Sequence, residues 1–280
     1  MNKSNETSPP IALTIAGSDS GGGAGIQADL RTFSFHRVHG TSALTCITAQ
    51  NTTGVTRVDA LPPEAVIAQI AAVTSDFCVG SAKLGMLLNG EIMAAVASEL
   101  RDRPIANLVV DPVMVSRAGD KLIDDAAIET LRQEILPLAD VLTPNIFEAQ
   151  ILIGDEIDTV EDMMKAAREL GSFGSKVILI KGGALKENPT AVDVWSDGKS
   201  CKVIETERVE TNNTHGSGCT LSAAIAANLA LGLESEKAIR DAKDYVTKAL
   251  RNSLSVGHGS GPLGHGFVLN DGAIESKLPR

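Results

Sequence analysis

Aromatic side chains are scarce in this 280-residue chain: six Phe, one Trp and one Tyr make up 3% of it. Any core must therefore be aliphatic, built from Ala, Val, Ile and Leu, and a bound ring cannot rely on a stacking cage. Positive charge is also short. Lys and Arg number 25 against 35 acids, for a net charge of −10. That argues against a nucleic-acid or acidic-membrane partner, which needs a basic footprint. It does not exclude phosphate, which glycine-rich backbone binds without net positive charge. Cysteine is limited to Cys46, Cys78, Cys201 and Cys219, with no Cys-x-x-Cys pair. Neither a zinc knuckle nor a thioredoxin-like site is supported, and reduced cysteines in a cytoplasmic protein are expected. The longest apolar stretch, Leu221 to Leu233, is about thirteen residues and contains Ser222 and Asn228; a membrane span needs about twenty. Met1 to Pro10 is polar and lacks a secretory core, so residues 1–10 read as a disordered tail. The histidines show no ligand spacing, and none is assigned to a metal; His215 is left to cap or pack.

Glycine, by contrast, is plentiful at 26, and 43% of the chain is hydrophobic. At this length roughly 75% of the unfolded surface can be buried without disulfides or a structural metal. Apolar β-rich runs alternate with amphipathic stretches. Strands are expected at Ile11–Ala16, Ser42–Thr48, Ala82–Leu84, Asn107–Val110, Asp140–Leu142, Val177–Ile180, Thr190–Trp195 and Lys202–Glu205. Helices are expected from about Ala24 to Arg37, over Pro63–Ser75 and Glu91–Arg101, after an Asp124 N-cap, and over Glu161–Leu170, Cys219–Leu231 and Glu236–Asn252. Alternation of this kind implies an α/β fold, a mostly parallel sheet with helices on both faces. No linker or repeat interrupts it, so residues 11–280 read as one domain. Ligands of such sheets lie at the carboxyl ends of the strands, which directs attention to the turns.

The first turn, Gly17-Ser18-Asp19-Ser20-Gly21-Gly22-Gly23-Ala24-Gly25, follows a strand and opens a helix. It is not a Walker-type phosphate loop, because no Gly-Lys-Ser/Thr ending follows. It is not a dinucleotide fingerprint, because Ile26 stands where the third glycine belongs. Five glycines in nine residues favour close approach of a small ligand over a plain tight turn, which would need one or two. The second turn, Asn213-Thr214-His215-Gly216-Ser217-Gly218-Cys219, also precedes a helix. Converging N–H groups and the helix dipole would make an anion hollow there; the plain alternative is an N-cap by Ser217. A phosphoryl group in transfer would suit the hollow. At the helix entry, Cys219 is either a thiol of lowered pKa exposed to ligand or a small buried hydrophobe. Asn145 and Glu148 lie three apart, on one face of a helix turn, and offer oxygen ligands to a hydrated magnesium ion. Asp111 after a strand and Lys181 at a strand end are weaker candidates, Lys181 as a point charge for phosphate.

Taken together, these motifs resemble the hydroxymethylpyrimidine and phosphomethylpyrimidine kinases of thiamine biosynthesis. The resemblance is carried by Ile15-Ala16-Gly17-Ser18-Asp19-Ser20-Gly21-Gly22-Gly23-Ala24-Gly25-Ile26-Gln27-Ala28-Asp29, Thr48-Ala49-Gln50-Asn51-Thr52, Lys83-Leu84-Gly85-Met86-Leu87, Asp111-Pro112-Val113-Met114, Thr143-Pro144-Asn145 with Glu148, Lys181-Gly182-Gly183, the second turn, and Val256-Gly257-His258-Gly259-Ser260-Gly261-Pro262. It implies a ribokinase-like, three-layer α/β/α sandwich, a homodimer, ATP as co-substrate and Mg2+. It implies Gly17, Ala24, Asp29 and Gln50 as substrate contacts, with Met86 and Val113 as apolar wall. It places Lys181, Asn145 and Thr214 on the ATP side, Asp111 and Glu148 at the metal, and Gly216, Ser217, Gly218 and Cys219 in the catalytic anion hole. The sugar kinases of that fold carry an aspartate base where this chain has Cys219, so positioning and charge stabilisation are expected to dominate. A pyridoxal or pyridoxine kinase is the alternative reading. A non-catalytic binding protein would have lost the anion-hole or metal residues, which are present here.

Overall fold

A computed structural model describes residues 8–115, 123–183, 185 and 190–270. The expected tail falls mostly outside them. The strands are β1 (Ile11–Asp19), β2 (His39–Asn51), β3 (Gly54–Ala60), β4 (Ser81–Leu84), β5 (Leu108–Val110), β6 (Val141–Leu142), β7 (Val177–Lys181), β8 (Thr190–Ser196) and β9 (Cys201–Glu207). They form one nine-stranded sheet in the order β3-β2-β1-β4-β5-β6-β7-β8-β9. The six strands from β2 to β7 in that order run parallel, and β3, β8 and β9 add antiparallel edges. The helices are α1 (Gly25–Phe35), α2 (Pro63–Asp76), α3 (Gly90–Asp102), α4 (Asp125–Thr130), α5 (Ile146–Ile153), α6 (Val160–Gly171), α7 (Ser217–Ala230), α8 (Ser235–Arg251) and the short α9 (Phe267–Asn270).

Helices cover both faces, as the alternation predicts. On one face α2 to α6 enclose a core that includes Leu13, Ile15, Val66, Ile92, Leu142 and Ile180. On the other, α1, α7 and α8 enclose Phe33, Val109, Leu179, Ile225, Ile239 and Tyr245. Both layers are overwhelmingly aliphatic, the consequence of the missing rings. Helix α7 is the central one of its layer: every residue from Thr220 to Leu229 is buried. A helix buried on every side is an interior helix, and this one ends its N-terminus at the strand ends. Among the described residues no helix is long and apolar enough to cross a membrane.

Local signals set the starts. Asn89 accepts from Ile92 N–H and Asp124 from Ala127 N–H, the second as expected. Thr159 and Asp162 cap each other reciprocally at α6. Strand β3 has no counterpart in the sequence reading, for a physical reason. All seven of its residues are exposed, so no in/out alternation marks it. It exists because it pairs as a hairpin with β2. Helix α4 continues through a π turn at Leu131–Ile135 and a 3-10 turn at Leu136–Leu138.

Candidate active site

The parallel strands deliver their carboxyl-end residues to one edge of the sheet: Asp19 from β1, Gln50 from β2, Met86 after β4, Asp111 and Val113 after β5, Asn145 after β6 and Lys181 from β7. Helix α7 points its N-terminus at the same edge. Gly216 is its N-cap, with φ +81°, and no side chain caps the first turn. Ser217 is therefore not the cap, contrary to the plain alternative, and its N–H goes to Thr214 O instead. The open first turn retains the anion-binding geometry.

One cluster is ionic. Lys181 Nζ lies 2.7 Å from Asp111 Oδ1 and 4.0 Å from Glu148 Oε2. Ser222 from α7 donates to Asp111 Oδ2 at 3.2 Å. A Cβ on Gly218 would stand 3.3 Å from Lys181 Nζ and 3.9 Å from Asp111 Oδ2. Glycine thus keeps the lysine within reach of the helix N-terminus. Burial would raise the Asp111 carboxyl, but Lys181 and Lys83 outweigh it and hold it below the usual range. Burial opposes charge on Lys181 as well, and Asp111 and Glu148 reverse the effect and raise it. Glu148 is different. Burial pushes it up to about 7, with Lys181 opposing and Asp111 adding to the rise.

Asn145 and Glu148 are neighbours across the first turn of α5, as the three-residue spacing implies. Asn145 is the N-cap of α5, its Oδ1 accepting Glu148 N–H at 2.9 Å, while Glu148 Oε2 accepts Asn145 N–H at 2.8 Å. The three-residue spacing is a capping box, and the box aims the Glu148 carboxylate at Lys181. Among the described residues no group of three or more His, Cys, Asp or Glu forms a metal cage. The pair Asp111 and Glu148 nevertheless fits magnesium, which takes one or two carboxylates and keeps several waters.

The second cluster joins the two glycine-rich turns. Asp19 Oδ1 accepts Gly21 N–H at 2.8 Å; Oδ2 accepts Gly23 N–H at 3.0 Å, Ala24 N–H at 2.8 Å and His215 Nε2 at 3.0 Å. Burial would raise this carboxyl, yet the His215, Ala24 and Gly21 hydrogen bonds hold it below its ordinary value. His215 therefore neither caps the helix nor merely packs. Neither it nor Asp19 stood out in the sequence. The available signal was a carboxylate inside one glycine turn and an imidazole inside the other. Several glycines prove to be demanded by the fold itself. Gly25 has φ +55° and crowds Gly17 O, Gly23 faces the His215 ring, and Gly216 packs on Gly23 O. Gly17 has Cys46 Sγ and Met86 Cε where a Cβ would be, at 2.7 and 2.9 Å. The glycine count alone is thus weaker evidence for a ligand than the sequence suggested.

Two further expectations change. Asp29, expected at the substrate, is fully enclosed on α1, with 0% side-chain exposure. It pairs with equally enclosed Lys83 at 2.8 and 3.0 Å and accepts Thr14 Oγ1 at 2.7 Å. It cannot touch a ligand; its role is to hold Lys83. Burial works against charge on Lys83, but Asp29 overcomes it and raises the ammonium's pKa. Lys83 was missed as a charge because one lysine in a four-residue strand reads as noise. Cys219 is the second change. Burial pushes its thiol up to about 11, with Lys83 opposing and Asp29 and Asp111 adding to the rise. The helix terminus does not win, and the thiol is neutral near pH 7. Thr214 lies in the second turn, its N–H 3.3 Å from Ser260 Oγ.

The comparisons agree with this geometry. Residues 19–264 match the family model described as phosphomethylpyrimidine kinase. The hydroxymethylpyrimidine/phosphomethylpyrimidine kinase of Synechococcus elongatus is 59% identical over 93% of this chain and 98% of its own. Among solved structures, the ADP complex of Bacillus subtilis pyridoxal kinase superposes with TM-score 0.88 at 40% identity, covering 94% of this chain and 99% of that one. Phosphomethylpyrimidine kinase from Clostridium difficile 630 gives TM-score 0.78 at 42% identity, covering 86% and 99%. The fold is ribokinase-like, and the chain belongs to the phosphomethylpyrimidine kinase family.

Proposed function

We propose that this kinase transfers phosphate from ATP to 4-amino-5-hydroxymethyl-2-methylpyrimidine and then to the resulting monophosphate, giving the diphosphate for thiamine biosynthesis. The observation that carries the reading is the convergence of Lys181, Asp111 and Glu148 on the uncapped N-terminus of α7. Lys181 supplies a point charge to the transferring phosphoryl group, and the N–H groups of Gly216, Gly218 and Cys219 stabilise its peripheral oxygens, the Ser217 N–H being held by Thr214 O. Asp111 and Glu148 would hold magnesium, which neutralises phosphate charge when bound. Cys219, a neutral thiol, lines the hollow rather than acting as base. Gln50 faces the aminopyrimidine edge with a donor and an acceptor, the backbone of Gly17 and Ala24 lies beside the ring, and Met86 and Val113 form its apolar wall. Asn145 and Thr214 stand on the nucleotide side. The ADP complex of the Bacillus subtilis relative supports ATP as donor.

The chain is read as one cytoplasmic kinase unit built round one sheet, and as a homodimer. Exposed Ile47, Val55 and Val58 on the β2–β3 hairpin support a subunit contact there. A pyridoxal kinase is the second reading, favoured by the structural likeness to the Bacillus subtilis enzyme. Purified protein with ATP, magnesium and each substrate decides. No ATP consumption would remove the kinase reading, and a monophosphate that accumulates would remove the second step. A higher kcat/KM for pyridoxal than for the pyrimidine would favour the alternative.

A further inference from the structure

Gln50 has two neighbours that decide how its carboxamide lies. Oε1 stands 3.1 Å from Thr48 Oγ1, and Nε2 stands 3.4 Å from His215 Nε2. The two ends of a carboxamide are nearly identical in shape, so proton accounting has to orient them. Thr48 has a single hydroxyl proton, and it is directed to Ser18 O at 2.8 Å. Toward Gln50 its oxygen is then an acceptor. His215 Nε2 faces Asp19 Oδ2 at 3.0 Å, and that oxygen already takes two backbone N–H groups. An ionised carboxylate can only accept, so Nε2 must carry a proton whatever the charge of the ring. That one proton points at Asp19 and leaves Nε2 no lone pair, so a Gln50 NH2 there would set donor against donor; the neighbour is the amide oxygen, which the proton reaches only as a shared, weaker contact. Both constraints select one orientation: NH2 toward Thr48, oxygen toward His215.

We propose that Asp19 and His215 are a positioning pair that locks the Gln50 carboxamide in this orientation and so fixes the hydrogen-bonding edge offered to the substrate ring. The proposal rests on the reading of Gln50 as the pyrimidine contact. An unlocked carboxamide presents donor and acceptor in either order. An aminopyrimidine, with an amine beside a ring nitrogen, would then bind in two faces, only one of which turns its hydroxymethyl group toward the phosphate. A locked carboxamide accepts one face. It also discriminates against a ring that lacks the amine, because a buried polar group left unpaired is penalised strongly. The device has a mechanical side. His215 sits against Gly23, and Gly216 packs on Gly23 O, so the imidazole ties the substrate turn to the turn that opens the anion hollow.

His215→Phe keeps a ring beside Gly23 and removes the donor. The expected result is a KM for the pyrimidine raised about tenfold, the worth of one hydrogen bond, with the KM for ATP within about twofold of wild type. The ratio of kcat/KM for the pyrimidine to that for pyridoxal falls by a similar factor. His215→Gln restores an N–H donor and should bring the pyrimidine KM back to within about threefold. Equal losses on both substrates, or a raised KM for ATP, would show that His215 only holds the turns together and would overturn the proposal. A second measurement does not depend on the substrate. Two-dimensional 15N–1H spectra of ligand-free protein should show a proton on His215 Nε2, and a Gln50 side-chain amide signal that shifts in His215→Phe. A ring protonated on Nδ1 alone, or an unmoved Gln50 signal, sinks the idea. If the wild-type enzyme takes no pyrimidine at all, the substrate reading has failed, and the spectra alone decide the orientation.

Discussion

At the residue scale, Cys219 and Gly218 separate two kinds of contribution. The thiol pushed up to about 11 cannot serve as a base at pH 8. The pH–rate profile between pH 6 and 9 should therefore contain no limb belonging to it, and Cys219→Ser should reproduce the wild-type profile. Cys219→Ala should lose no more than about 10²–10³ in kcat, the range for one group of an anion hole. A greater loss with substrate still bound would make the thiol an essential base or nucleophile. Gly218 tests the other side. A Cβ there stands 3.3 Å from Lys181 Nζ, so the ammonium must give way. Alanine is also the better helix former, by up to about 1 kcal/mol in a helix interior and less in the first turn, where Gly218 stands. Gly218→Ala should hold or raise Tm while kcat falls on the order of tenfold to a hundredfold, since small misplacements are expensive in phosphoryl transfer. Unchanged kcat would mean that Lys181 does not work from its observed position.

At the element scale, α5 shows how a helix start becomes a site. Its capping box lets one side chain serve the helix while the other serves the helix and faces Lys181, where we propose it also holds magnesium. Asn145→Ala should cost about 1 kcal/mol of stability, read as a shift in urea midpoint. Glu148→Gln keeps an acceptor for Asn145 N–H but removes the charge, so stability should change little while the magnesium needed for half-maximal rate rises on the order of tenfold. If both variants lose only stability, Glu148 is a cap and nothing more. The same element marks how far the sequence could be read. Strands with continuous apolar runs and helices with striped faces were legible, because burial writes its period into the residues. Asp111, Glu148 and Lys181 were legible one by one as chemistry, and only the family resemblance put Asp111 beside Glu148, since their meeting depends on β5, β6 and β7 being neighbours. Strand β3 was not legible, because its existence depends on a partner strand. Asp29 was misplaced for a related reason: its proximity to the glycine turn in sequence hid that α1 turns it into the core, against Lys83. The Asp19–His215 contact spans 196 positions, and no local pattern records it.

At the scale of the whole molecule, the C-terminal segment closes the second core layer over α1 and α8, and it does so with rings where the rest of the core is mostly aliphatic. His265 is 3% exposed, and its Nδ1 is 3.0 Å from Tyr245 OH; His36 lies over Tyr245 with ring centroids 4.5 Å apart. Burial, with Arg31 and His36 adding to it, pushes His265 down to about 4. In the unfolded chain a histidine binds its proton near pH 6.5. Between that pH and about 4 the unfolded state therefore holds a proton that the native state refuses. Stability falls with pH across this window, by up to about 3 kcal/mol, and stops falling from this source below it. That is a large part of the 5–15 kcal/mol typical of a folded domain. His265→Asn should be less stable than wild type at pH 7, because it gives up ring packing and the Tyr245 contact. Its loss on acidification should be smaller, since it has no ring to titrate, while carboxylates such as Asp19 contribute equally to both proteins. Urea midpoints at pH 7, 6, 5 and 4 should bring the two curves together as pH falls. Parallel curves would mean that His265 takes up its proton at the same pH in the native and unfolded states, and that the closure of the C-terminal segment does not depend on keeping this ring neutral.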